Sequence, residues 1–242
     1  MKVAIHQPHF LPWMGYFDKM AKADVYVLLD DVQLEDRSPM LRNKMLTRNG
    51  EIQYLTVHVN KKGYRTKLCR EITLAYGEKW NEKVLKFLEM NYKHARFFPE
   101  VFPDICQLLT TQQLYLIDIQ SAITSLMIKW LEIKTPIILQ STINYDVSKK
   151  KSELMLELTR TVGGDCYLSG QGAKKYMDDQ QFEEQGIHVE YQSFTQPEYK
   201  PYNARQFIPQ LSLLDMFLSC GIEETKRVFW ENVKLANDIK HE

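Results

Sequence analysis

The stretch Lys2-Val3-Ala4-Ile5-His6-Gln7-Pro8-His9, followed by Asp24-Val25-Tyr26-Val27-Leu28-Leu29-Asp30-Asp31, decides the fold. Each half carries an unbroken run of apolar, β-branched or aromatic residues in place of an apolar/polar alternation, the pattern of a strand buried on both faces. Between them Pro12 opens a segment of helical composition over 13–22. Strand, loop, helix and strand within the first thirty residues make a βαβ unit. Such a unit crosses over right-handedly into a parallel sheet, and ligands of parallel sheets sit at the carboxyl ends of the strands. His6, His9, Asp30 and Asp31 all fall at those ends.

Working outward, residues 136–140, 166–169 and 187–192 read as further strands. A helix over 152–162 is stopped by Gly163-Gly164, and one over 212–219 by Gly221. The 166–169 strand runs into Gly170-Gln171-Gly172 ahead of a helix expected from Ala173. Residues 31–50 read as an irregular polar loop with a turn at Asn49-Gly50, and 52–59 with 67–74 as a hairpin around Lys61-Lys62-Gly63. Three apolar-periodic segments follow. Trp80, Val84, Phe87 and Leu88 mark the first, 97–112 is the second, and Leu116, Ile119, Ile123, Leu126, Met127 and Trp130 mark the third. The expected architecture is a single α/β domain over 1–242: a mainly parallel, Rossmann-like sheet with a helical block inserted at about 78–134.

The 242 residues are 44% hydrophobic and 26% charged, which excludes a disordered tail, a collagen-like chain or a disulfide-stapled miniprotein. Lys+Arg and Asp+Glu balance at 31 each, but 31–70 holds nine basic against four acidic residues and 151–242 holds ten against fifteen. A local basic stretch without a broadly positive chain argues against nucleic acid and suits a small anionic ligand. Cysteines 69, 106, 166 and 220 form no C-x-x-C pair and no Cys/His cluster, so reduced thiols, no metal site and a cytoplasmic location are expected. No signal-peptide core occurs in the first thirty residues. Asp118, Gln120 and Lys129 interrupt the longest apolar stretch, which reads as a core helix and not a membrane span.

A histidine at a strand end, with an unperturbed pKa of ~6.5, suits general acid/base work at neutral pH, so His6, His9 and the nearby Asp31 are the candidate catalytic residues. The plainer alternative is a pair of packing imidazoles bonded to backbone. Neighbouring strand-end carboxylates point opposite ways, so of Asp30 and Asp31 one faces the histidines and the other caps a loop. Gln7, Asp30 and Gln33 are expected to bind substrate. Arg37, Arg42, Asn43 and Arg48 fall in the 31–50 loop. Arginine forks grip phosphates, and Arg42 and Asn43 are the expected contacts. Ser169, Gly170 and Gly172 lie between a strand and an expected helix, an arrangement that makes an anion site from free backbone N–H groups. No Gly-Lys-Ser/Thr follows them and residue 175 is Lys, so neither a Walker A loop nor a G-x-G-x-x-G fingerprint is present and no cofactor is assigned. Ser169 lacks a G-x-S-x-G elbow, Cys166 reads as inert packing, and Trp13, Tyr16 and Phe17 read as core.

The run from Ile5 to Lys19 (IHQPHFLPWMGYFDK), then Leu29-Asp30-Asp31-Val32-Gln33, Arg42-Asn43, Tyr167-Leu168-Ser169-Gly170-Gln171-Gly172-Ala173 with Tyr176, and Phe207-Ile208-Pro209-Gln210-Leu211-Ser212-Leu213-Leu214-Asp215, resembles the WbqC-like family over nearly the whole chain. The resemblance implies a bacterial cytoplasmic enzyme associated with O-antigen and other surface-polysaccharide synthesis. A fainter similarity links the HQP opening to nucleotidyltransferases of the H-x-G-H type. Phe10, Pro12, Gly15 and the Asp24-Val25 strand start fit that frame. Tyr16 stands where the last histidine belongs, and Trp13-Met14 offers no first one.

These readings together lead to group transfer, acyl or aminoacyl, to a nucleotide-linked amino sugar, with His6 or His9 as base. The alternatives are a nucleotidyltransferase-like enzyme and a non-catalytic nucleotide-sugar-binding or scaffold protein.

Overall fold

A computed structural model describes residues 1–34, 38–175 and 177–238, with side chains to 235. Arg37 and Tyr176, both singled out above, lie outside the described residues. Five parallel strands form the sheet in the order β5-β2-β1-β6-β7: β1 (Lys2–His6), β2 (Val25–Leu28), β5 (Ile137–Leu139), β6 (Cys166–Ser169) and β7 (His188–Tyr191). The unbroken apolar runs predict this arrangement because both faces are covered. Ala4, Tyr26, Leu28 and Leu168 point into one core, while Val3, Ile5, Val27 and Tyr167 point into another. The first core also takes α1 (Met14–Ala21), α4 (Leu116–Leu131), α7 (Leu213–Cys220) and α8 (Ile222–Asp238); the second takes α5 (Lys151–Thr161) and α6 (Asp179–Glu184). Each fully buried Leu or Val contributes roughly 1.5–3 kcal/mol, so the alternation of faces along β1 and β2 stabilises both layers at once.

Helices α2 (Trp80–Tyr92), α3 (Phe98–Thr110) and α4 occupy the segment read as a helical block. The hairpin differs from expectation. It joins β3 (Arg42–Leu46) to β4 (Ile52–Thr56), antiparallel, and turns at Asn49-Gly50, where Gly50 has φ of +83°. Arg42 and Asn43 are therefore strand residues and not part of a long loop. An Asn-Gly turn supplies the positive φ a tight hairpin needs, and it outweighed the poor strand composition of Arg-Asn-Lys-Met-Leu. Residues 61–75 instead form short 3₁₀ turns and single bridges such as Val59 to Leu74. The helix expected from Ala173 is a five-residue 3₁₀ turn, Gln171–Lys175, and α6 starts only at Asp179. Helix α8 was not expected at all.

Candidate active site

The two central strands separate before either ends. β1 and β6 pair at Lys2↔Cys166, Val3↔Tyr167 and Ala4↔Leu168 and then part. β1 stays with β2 as far as His6↔Leu28, and β6 stays with β7 as far as Ser169↔Tyr191. From β1 the chain winds outward through β2 and β5, and from β6 it winds the other way to β7. This is the switch point of a doubly wound sheet, where a crevice opens for ligands. Continuing the register two residues sets His6 across from Gly170, on strands that lie ~4.8 Å apart where they pair. Gly170 and Gly172 have no positive φ, and a Cβ built on either meets nothing within 4 Å. Neither the backbone conformation nor the packing of the fold calls for glycine at these two positions.

The loop over 7–13 is clamped from three elements and from the turn at 38–41. Phe10 N donates to Pro39 O at 2.9 Å, and the buried Gln120 amide of α4 donates to Met40 O at 2.6 Å and Pro8 O at 3.4 Å. Asn43 Nδ2 of β3 donates to Leu11 O at 2.8 Å, and Leu213 N of α7 donates to Pro12 O at 2.9 Å. Leu11 is held at φ +49°, a left-handed conformation that costs a side-chain-bearing residue on the order of 1–2 kcal/mol. The clamps offset that cost and leave His6 and His9 presented by a pre-set loop.

Their rings meet edge to face with centroids 4.7 Å apart, and Tyr16 of α1 lies 5.1 Å from His6 and 5.0 Å from His9. His6 Nδ1 is 3.0 Å from Gln7 O. A carbonyl only accepts, so Nδ1 carries the proton and Nε2 presents a lone pair. Burial, then His9 and Lys19, hold His6 well below its ordinary pKa; burial and Lys19 hold His9 at about 3. Both imidazoles are neutral at pH 7. His9 is 6% exposed, and its Nδ1 has no hydrogen-bond partner among the described residues.

Lys19 sits beneath them. It is 3% exposed, donates from Nζ to Ile5 O at 2.7 Å, and burial brings its pKa down to about 7. Its neighbour Asp18 is paired instead with Lys22, at 2.7 and 2.9 Å, and accepts from Gln192 Nε2 at 2.7 Å. The sequence reading missed Lys19. The signal was present: it follows Tyr16 by three positions and so shares the buried face of α1.

The two strand-end carboxylates take different partners, and neither partner is a histidine. Asp30, 2% exposed, accepts from Ser141 N at 2.9 Å and Ser141 Oγ at 2.5 Å, and so ties β2 to the turn after β5. Asp31 accepts from Arg70 Nε and, at 2.6 Å, from the Tyr145 hydroxyl. Partial burial opposes its charge, but these two donors prevail and keep its pKa below the ordinary value. Gln7 is half-buried. Gln33 is exposed and bridges to Leu68.

Arg42 lies elsewhere. Successive strand residues face opposite ways: Asn43 reaches the Leu11 carbonyl, whereas the Arg42 guanidinium stacks 4.4 Å from the Tyr54 ring centroid and lines a groove of about 780 Å³ with His58, Lys61, Tyr64 and Arg65. Ser169 is fully buried and leaves Gly170 as the lip of the crevice. The 3₁₀ turn Gln171–Lys175, which includes Gly172, is too short to add a helix dipole. The amino end of α1 is not an open phosphate cradle either, since Trp13 bridges to Ser212 and its indole covers Gly15, where a Cβ would fall 2.4 Å from the ring.

The arrangement defines a class: a doubly wound parallel α/β protein with two neutral imidazoles and a buried amine gathered at its switch point. The chain belongs to the WbqC-like protein family, whose model matches residues 7–227. It is also 32% identical over 225 residues to a Mycobacterium tuberculosis protein, uncharacterized protein Rv1507c, covering 92% of this chain and 95% of that one. No solved structure matches. No described helix is long and apolar enough to cross a membrane.

Proposed function

We propose that this protein is a cytoplasmic enzyme of bacterial surface-polysaccharide, or O-antigen, precursor synthesis that transfers an acyl or aminoacyl group to the amine of a nucleotide-linked amino sugar. The observation that carries this reading is the neutral His6 at the switch-point crevice, with Nδ1 committed to Gln7 O and Nε2 unprotonated. In the reaction the sugar amine attacks the acyl carbon, the new C–N bond forms, the donor's leaving group departs, and the amine proton passes to His6 Nε2. Asp31, held ionised by Arg70 and Tyr145, fixes the neighbouring strand end. Gly170 and Gly172 leave the backbone of the opposite lip open to the ligand's diphosphate.

His6→Ala should lower turnover by ~10²–10⁴ and leave nucleotide-sugar affinity within roughly tenfold, because a general base contributes to the transition state and little to the ground state. Product formation by mass spectrometry and calorimetric titration with a panel of nucleoside-diphosphate amino sugars check it. Binding without turnover in the wild type, across the donor panel, would favour the non-catalytic reading, to which the close packing of His6, His9 and Tyr16 also lends itself. The nucleotidyltransferase-like reading has less support, because Trp13 closes the α1 end on which it relies.

A further inference from the structure

Lys19 is a buried amine with no anionic partner among the described residues, and burial alone brings its pKa down to about 7. Among the described residues no carboxylate lies within 4.0 Å of its ammonium, and of its three N–H groups one is used, on Ile5 O. That carbonyl is the first one past the last β1–β6 pair, Ala4↔Leu168, so the amine stands in the gap between the parting strands. The other groups facing it are the His6 and His9 imidazoles above and, 5.9 Å from Nζ to centroid, the Tyr167 ring of β6. None is an anion. Lys22, one turn on along α1, is already matched by Asp18. Holding a charge at Lys19 without a counter-ion is costly, which is why the amine gives up its proton near neutral pH, and replacing it by an apolar group of the same shape is often neutral or stabilising. An anion arriving from outside would restore its proton and supply the missing partner.

We propose that the crevice between β1 and β6 binds a carboxylate of the substrate against the Lys19 ammonium, beside His6. One amine that takes up a single proton matches one monoanionic group, whereas a diphosphate would leave further negative charge among neutral imidazoles. The carboxylate belongs either to a free amino or carboxylic acid, the group being transferred, or to an acidic sugar. The bound anion also offsets the field of Lys19 on His6 and His9, which strengthens His6 as a base once the site is filled. The inference rests on the proposed function for the identity of the site, not for its charge.

The test uses thermal unfolding and calorimetry of wild type, Lys19→Met and Lys19→Gln with acetate, glycine, glucuronate, inorganic phosphate and uridine diphosphate as probes. Lys19→Gln keeps a donor for Ile5 O and serves if the methionine variant does not fold. Expected are a saturable rise in wild-type melting temperature with at least one carboxylate and its loss by tenfold or more in affinity in both variants. In the absence of ligand, a variant melting temperature equal to or a few degrees above the wild type is expected, since the buried charge is gone. Glycine as the better probe assigns the carboxylate to the transferred group; glucuronate assigns it to the sugar. The proposal is overturned if phosphate is the better Lys19-dependent ligand, if the variants respond to carboxylates as the wild type does, or if both variants melt well below it. Uridine diphosphate binding that survives in Lys19→Gln while no carboxylate binds overturns this inference and leaves the proposed function standing. Carboxylate binding with no nucleotide binding does the reverse.

Discussion

At the residue scale, the two imidazoles set how the protein responds to acid. In the unfolded chain each takes a proton near pH ~6.5. In the folded chain burial keeps His9 unprotonated to about pH 3 and His6 well below its ordinary range. Between these limits the unfolded state binds more protons, so stability is present above the unfolded pKa and drains away as pH falls. From pH 7 to 5.5 His9 should cost about 1.3 kcal/mol, and His6 adds a loss of the same sign. His9→Gln should lose about 1.3 kcal/mol less than the wild type over that interval. Urea denaturation of both proteins at the two pH values checks it, and the comparison cancels other titrating groups, such as the buried Asp215 carboxyl, whose pKa burial raises. The positions of His6 and His9 at a strand end were readable from the HQPH tetrapeptide. Their protonation was not, because it depends on Tyr16 stacking and on Lys19, contacts that only the crossing of α1 over β1 creates.

At the scale of elements, the loop over 7–13 depends on a strand far from it in sequence. Asn43 of β3 satisfies the Leu11 carbonyl while Leu11 holds its left-handed φ, and it accepts from Lys44 N at 2.9 Å, so its side chain is occupied at both ends. Asn43→Ala leaves a buried carbonyl unpaired, at a cost of about 1–3 kcal/mol. At ~2–4 °C per kcal/mol for a chain of this size, the melting temperature should fall by a few degrees at least. Asn43→Asp should fall further, since a carboxylate would face that carbonyl. A melting curve unchanged in Asn43→Ala would show that the loop is held without β3. The sequence marked Asn43 as important but for the wrong contact, because a polar residue in a misplaced loop reads as ligand-binding. The buried strands were legible for a simple reason: a residue run apolar on both faces has few other places to go. The hairpin was not, because its turn signal was correct while its strands are short and polar.

At the scale of the whole molecule, the sheet is unevenly protected. β1 is paired on both sides and lies between two cores, whereas β5 is an edge strand with Ile137 and Leu139 exposed at 37% and 36%. Amide exchange should therefore be slowest in Val3, Ala4 and Ile5, approaching the global opening free energy, and faster in β5, which can open locally. Comparable exchange in β1 and β5, followed by mass spectrometry, would mean that the sheet opens only as one unit. A mainly parallel, Rossmann-like sheet was implied by the first βαβ unit and the later strands. The point at which β1 and β6 part was not, since register between segments over a hundred and sixty residues apart leaves no local trace.

The seam between Trp13 and Ser212, with Leu213 N on Pro12 O, joins the first helix to the next-to-last one. A ribosome delivering ~5–20 residues per second makes the HQPH tetrapeptide roughly 10–40 s before the segment that fastens it. Through that interval the nascent chain holds its histidines on an unfastened loop, and β1 waits for β6 as its second neighbour. The two histidines are thus synthesised well ahead of the segment that fastens their loop, so a chain cut short before Ser212 carries the motif without the seam that holds it.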